Sequence, residues 1–312
     1  MHAKLPKKSA SAVQRDGVKL FFMLLPCLIF VFIFSYLPLW GWSYSFFNYK
    51  PGKALLDCEF VGWDHFTRLF GNPVLRRQLI MVLCNTLAMA GLGVLFSPLT
   101  PVFAICMSEL TNRRYRKIVQ TLTTLPHFIS WTIMYSLVFF MLNVNTGFIN
   151  NLLVQTGVLD QPVNFLVSQD HVWLTMQGYG LWKGLGWGAI VYMAAIAGID
   201  QELYEAARID GAGRWQQTLH VTLPGISSTI IILLILRMGS VMSVGYEKII
   251  LLYNDGILET ADVISSFVYR RGLLNYEWSY STAVGLFNSV INFVLIVLFN
   301  RLSRALSETS LW

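Results

Sequence analysis

The sequence predicts an all-α integral membrane protein with six transmembrane helices. Three observations carry that reading: the composition, six apolar stretches of spanning length, and the uneven placement of basic residues. Of the 312 residues, 55% are hydrophobic and 13% are charged, and the mean hydropathy is +0.54. Soluble domains carry about 25% charged residues, so this chain has too little polar surface to cover itself in water. A helix crosses the ~30 Å hydrocarbon layer with ~20 apolar residues. Stretches of that kind lie at 20–42, 79–108, 118–140, 172–199, 223–250 and 280–302.

The first span follows a basic tail over 1–19 containing Lys4, Lys7, Lys8, Arg15 and Lys19. That tail is like a signal peptide's start. The apolar run after it, however, exceeds the ~7–15 residues of a cleaved signal and lacks a small-residue cleavage site, so an uncleaved anchor is expected. The second span contains Pro98 and Pro101, which predict a kink whose freed carbonyls find partners on neighbouring helices. Spans three and four show no period-2 alternation of the sort a membrane barrel needs. Span five opens on Leu223-Pro224, and span six is followed by a short tail over 303–312.

An even number of spans places both termini on one side. Thirteen basic residues fall in the two tails, the loop at 113–117 and the segment at 208–214, against seven in the other three loops. Basic residues near span ends are retained inside, so both termini and the segment over 200–222 are expected to face the cytoplasm. Arg76 and Arg77 run against this trend. Inner-face retention accounts for the net charge of +6, and no nucleic-acid partner is implied.

The absent chemistry narrows function. No GxxxxGK[ST] phosphate loop is present, so the chain has no ATP site of the usual kind. There is no HExxH or GxSxG motif, and the histidines at 2, 65, 127, 171 and 220 lack ligand spacing. Cys27, Cys84 and Cys106 lie in spans and Cys58 lies in an outer loop, which makes no disulfide framework or metal site. No catalytic residue or metal is expected. No carboxylate sits mid-span, which disfavours a proton relay. A stand-alone secondary carrier or channel for a small polar solute stays open as the alternative, through ion coordination by backbone carbonyls.

One segment is out of place in an apolar chain. "YEAARIDGAGRWQQTLHVTLPGI" (204–226) puts Glu205, Arg208, Asp210 and Arg214 among small residues between two spans. It reads as two short helices meeting at Asp210-Gly211, with Gly211 supplying a positive φ and Asp210 suited to cap the second helix. Ala206 and Ala207 leave the first helix without bulk, so another protein can approach its backbone closely. An ordinary connecting loop is the plainer reading.

This segment resembles the EAA loop of membrane permease subunits in ATP-binding-cassette importers. The pattern is Glu-Ala-Ala, Asp-Gly and Leu-Pro, here Glu205-Ala206-Ala207, Asp210-Gly211 and Leu223-Pro224. "FVGWDHFTRLF" (60–70), "NTL" (85–87) and "LPHFISW" (125–131) are similar to the maltose-type sugar-permease branch. The stretches 245–273 and 280–293 resemble permeases for oligosaccharides and polysaccharide fragments. The resemblance implies the type I importer permease fold in a bacterial cytoplasmic membrane, embedded in lipid. It also implies partners: a second permease subunit, two cytoplasmic ATPase subunits that bind the ATP and magnesium, and an extracytoplasmic solute-binding protein. Glu205, Ala206, Ala207, Asp210 and Gly211 would form the surface that docks on an ATPase.

Two charges inside spans then call for an account. Lys183 lies in the upper part of span four and Arg237 near the middle of span five. A cation at the bilayer centre costs ~2.5–3.5 kcal/mol on insertion scales, so each should face protein or water. One reading lines a wet substrate path with Lys183, Trp187, Arg237 and Tyr246, leaning toward an acidic oligosaccharide. The other has each cation paired with a carbonyl, or Lys183 reaching outward.

Overall fold

A computed structural model describes residues 10–243, 245–252 and 254–306 of the chain. The two expected tails therefore lie partly outside the described residues. α1 (Ala10–Val31) continues through a π turn at Phe32–Tyr36 and a 3-10 stretch at Leu37–Phe46. None of its most apolar window is buried against the rest of the chain. Its C-terminal end folds back through the Phe47–Phe60 bridge to α2 (Asp64–Gly71).

Local capping chemistry starts the next helices. Asn72 accepts from the Val74 and Leu75 amides and Pro73 takes the first helical position, opening α3 (Pro73–Leu95). The helix is interrupted at 96–98, where the kink is expected, and α4 (Leu99–Ser108) completes a 36-residue apolar unit. Asn112 caps α5 (Arg113–Thr124) in the same way.

Span three departs from the expectation of one straight helix over 118–140. α5 ends in a 3-10 turn at Leu125–Phe128, and Ser130 caps a new helix, α6 (Trp131–Leu142). The two halves meet at 108°. Pro126 is the cause, because it removes an amide and clashes with the preceding turn. Beyond it, α7 (Phe148–Gln155) lies in the loop that leads to the next span. Buried Asn150 holds that loop, donating to the Leu142 and Val163 carbonyls at 2.8 and 3.0 Å.

α8 (Val172–Ala197) turns through 70° into α9 (Gln201–Ile209). α10 (Arg214–Gln217), a π turn at Thr218–Thr222 and α11 (Leu223–Gly225) follow, then α12 (Ser227–Gly239) after a further 56° bend. The helix does not continue to residue 250 as expected. Gly239, Ser240, Ser243 and Gly245 interrupt it, with the Ser240 hydroxyl donating to the Arg237 carbonyl. The chain then forms α13 (Tyr246–Leu252), α14 (Leu258–Ala261) and α15 (Ile264–Tyr269), and ends in α16 (Trp278–Leu306).

Three helices among the described residues are long and apolar enough to cross a membrane, or six if each bent pair counts as one span. Their packing forms three buried clusters. Met89, Met134, Met176 and Ile249 join α3, α6, α8 and α13. Leu79, Met242, Phe267 and Val284 join α3, α15 and α16. Ala104, Ala189, Tyr192 and Ile226 join α4, α8 and the start of α12.

Candidate functional site

The charged segment forms a protruding helical knob. Asp200 caps α9, accepting from the Glu202 amide at 3.0 Å. At the other end the Ala212 amide donates to the Ala207 carbonyl at 2.8 Å, and the Gly211 amide to the Arg208 carbonyl at 3.0 Å. These are the two bonds of a Schellman turn, which places a left-handed residue after the helix. Gly211 is that residue, with φ +81°.

Asp210 does not cap the second helix as the sequence suggests. It closes α9, and α10 instead starts at Gly213, whose amide donates to Gln216 Oε1 at 2.8 Å. The Gln217 side chain ties back to the Ala212 carbonyl at 2.8 Å. Tyr204 and Thr222 share a hydroxyl bond at 2.9 Å, fixing α9 to the base of span five. Glu205, Ala206, Asp210 and Gly211 are exposed and Ala207 is half-buried. Beside them Ile209 is 87% and Trp215 72% exposed, an apolar pair that marks a contact surface when it stands in water.

A second feature lies among the spans. A cavity of about 700 Å³ opens between the α3–α4 break, one face of α8 and α12. That volume is within the range of ligand pockets, about 300–1,000 Å³. Its polar lining comes from Ser97, Thr100, Gln177, Tyr192, Arg237 and Lys248, with Trp187 at its edge. The Trp187 ring stacks on His127 at 4.5 Å, with 2° between the planes.

The four residues expected along one path are distributed differently. Trp187 and Arg237 line the cavity. Lys183 is absent from its lining and turns toward the break in span three. Its ammonium donates to the Pro126, His127 and Ile129 carbonyls and lies 5.3 Å from the centre of the Trp131 ring. The freed carbonyls of a broken helix and an intramembrane cation thus satisfy each other. Tyr246 sits apart, in a shallow cleft with Tyr269 and Trp278.

Leaving a buried acceptor without a donor costs about 1–3 kcal/mol. Lys183→Met is therefore expected to lower the melting temperature of the detergent-purified protein while leaving cargo preference per folded molecule unchanged. A changed preference at unchanged stability would place Lys183 on the path after all.

Sequence reasoning missed Gln177, and it counted Lys248 with Arg270 and Arg271 as an outer-side cation favouring acidic cargo rather than as part of this cavity. Counting 223–250 as one helix put Lys248 at the outer end of the span. The turn after Gly239 brings it back beside Gly180, where a Cβ would lie 3.7 Å from Lys248 Nζ. The cluster Gly239, Ser240, Ser243 and Gly245 was the signal, since such residues punctuate helices.

Comparison with known proteins decides the family. A family profile described as "binding-protein-dependent transport system inner membrane component" matches residues 101–308. The chain belongs to this family. It is thus an inner-membrane transport component with the type I permease fold. Among relatives of this component, it is 39% identical over 294 residues to the polygalacturonan/rhamnogalacturonan transport system permease protein YteP of Bacillus subtilis (strain 168). That alignment covers 94% of this chain and 90% of the relative. A solved bacterial alginate ABC transporter, in complex with alginate pentasaccharide-bound periplasmic protein, contains a chain with TM-score 0.84 and 39% identity. The match covers 96% of this component and 99% of that chain. A bacterial ABC transporter involved in the import of the acidic polysaccharide alginate matches with TM-score 0.83 and 39% identity, over 95% and 98%.

Proposed function

We propose that this chain is one of two permease subunits of an ATP-driven bacterial importer for oligosaccharides, acidic ones included. The observation that carries the reading is the exposed knob over α9 and α10, with its Glu205-Ala206-Ala207 and Asp210-Gly211 sequence. Its rigid turn, small-residue face and flanking Ile209 and Trp215 suit docking in a groove on a cytoplasmic ATPase. On this reading the knob and both termini face the cytoplasm. Partner ATPases bind ATP and magnesium, and an extracytoplasmic binding protein delivers the sugar. The 700 Å³ cavity is this subunit's half of the path, completed by the second permease. Relatives that carry polygalacturonan, rhamnogalacturonan or alginate support the cargo class.

Reconstitution in proteoliposomes tests this. The chain with its companion permease, ATPases and binding protein should accumulate an alginate oligosaccharide only with ATP. The chain alone should hydrolyse no ATP and move no sugar. Sugar flux through the chain alone, independent of ATP, would replace the proposal with a stand-alone carrier or channel.

A further inference from the structure

We propose that Arg237 and Lys248, with Gln177, form a subsite in the spans that selects the carboxylate of an acidic sugar unit. This rests on the oligosaccharide-importer reading and names what in this chain would distinguish acidic from neutral cargo.

The three side chains stand together at one place. All of them line the large cavity, and all of them line an adjoining pocket of about 190 Å³. Gly93 makes room for the Arg237 head, and the Lys248 head lies within contact distance of Gly180. A Cβ at Gly93 would lie 3.2 Å from Arg237 Nη2, and one at Gly180 would lie 3.7 Å from Lys248 Nζ. Gln177 commits its Nε2 to the Met89 carbonyl. Its Oε1, an acceptor, is then left to a sugar hydroxyl.

The charge balance points to an anion. No Asp or Glu lines either pocket, and neither Arg237 nor Lys248 forms an ion pair among the described residues. The cations elsewhere in the packed region are answered within the chain. Arg270 pairs with Asp262, Arg271 pairs with Glu277 and takes Gln78 as well, and Lys183 is held by three carbonyls. Two like charges facing one apolar-walled cavity repel each other and are poorly solvated. A carboxylate entering between them relieves both penalties and forms charge-assisted hydrogen bonds, roughly twice as strong as those a neutral hydroxyl makes. The guanidinium fork suits a carboxylate's two oxygens and the ammonium serves as a point charge.

The test uses the assembled transporter purified with its companion subunits and without its binding protein, so that discrimination by that protein is excluded. Equilibrium binding is measured for a fluorescently labelled alginate trisaccharide and for its methyl ester, which keeps the backbone and loses the charge. Wild type should bind the acid at least tenfold more tightly than the ester. Arg237→Gln combined with Lys248→Gln should bring that ratio close to one, while Arg237→Lys and Lys248→Arg preserve most of it. Equal affinity of wild type for acid and ester overturns the subsite, whether or not the double variant folds. A double variant that keeps the full ratio overturns it as well. ATP-driven uptake by the same wild-type transporter, with binding protein added, separates the two levels. Uptake without acid preference in the binding assay removes the subsite alone, and no ATP-driven uptake of any oligosaccharide removes the importer reading and the subsite with it.

Discussion

Gly186→Leu is expected to eliminate folded protein from the membrane, and Gly186→Ala to lower its abundance and melting temperature. Gly186 is buried in α8 where that helix crosses the end of α5. A Cβ there would overlap the Thr123 carbonyl and meet the Thr124 amide nitrogen at 2.7 Å. Both neighbours are backbone, so no side-chain rotation relieves the clash and the helices must separate. Overpacking a tight interior costs about 1–3 kcal/mol and occasionally more. Here the loss is compounded, because helices in lipid associate through close packing at small residues rather than through water exclusion. Separation would also pull Lys183 away from the carbonyls at the break, three residues further up the same helix. Gly178, in the same helix, has nothing within 4 Å of its would-be Cβ. Gly178→Ala should therefore leave abundance unchanged. Fluorescence-detected size exclusion of solubilised membranes reads both variants, and a normal monodisperse Gly186→Leu protein would refute this account of the α5–α8 contact.

Gly211→Val is expected to leave membrane insertion intact and to abolish stimulation of the partner ATPases by the loaded binding protein. With φ +81°, the position is left-handed, where a β-branched side chain is strained by about 1–3 kcal/mol. Space is not the obstacle, since nothing lies within 4 Å of the would-be Cβ. The strain instead acts on the Schellman bonds from Gly211 and Ala212, so α9 frays at the end that carries the proposed docking face. Span packing is remote from this turn and should persist. Asn tolerates the left-handed region, and Gly211→Asn should recover most of the stimulation. Full stimulation in the Val variant, measured as ATP hydrolysis in proteoliposomes, would show that the turn does not couple the subunits.

Those variants fall on features of different legibility. Gly211 could be read from its neighbours, because a helix ending on Asp-Gly between polar residues has few ways to continue other than a left-handed glycine. The same holds for Asn72, Asn112, Ser130 and Asp200, each of which caps a helix through bonds to amides two or three residues ahead. The reading of Asp210 as a cap for the second helix failed within this local scheme. The Schellman turn used Asp210 to end α9, and Gly213 with Gln216 began α10.

Gly186 and the cationic side chains were not legible in that way. The sequence by itself determined that the chain is helical and apolar, that span two is interrupted near Pro98, and that one charged knob lies between two spans. Its motifs also carried the resemblance to importer permeases. Only the tertiary structure decided that Lys183 closes a broken helix more than fifty residues away, while Lys248 turns back to share a cavity with Arg237. In a soluble protein an amphipathic stripe tells which face of a helix is inside. In a membrane, lipid and protein interior are almost equally apolar, so the stripe fades and a lone cation shows only that some polar partner exists. Which partner it finds depends on where other helices break and cross, and those are contacts between residues far apart in the chain.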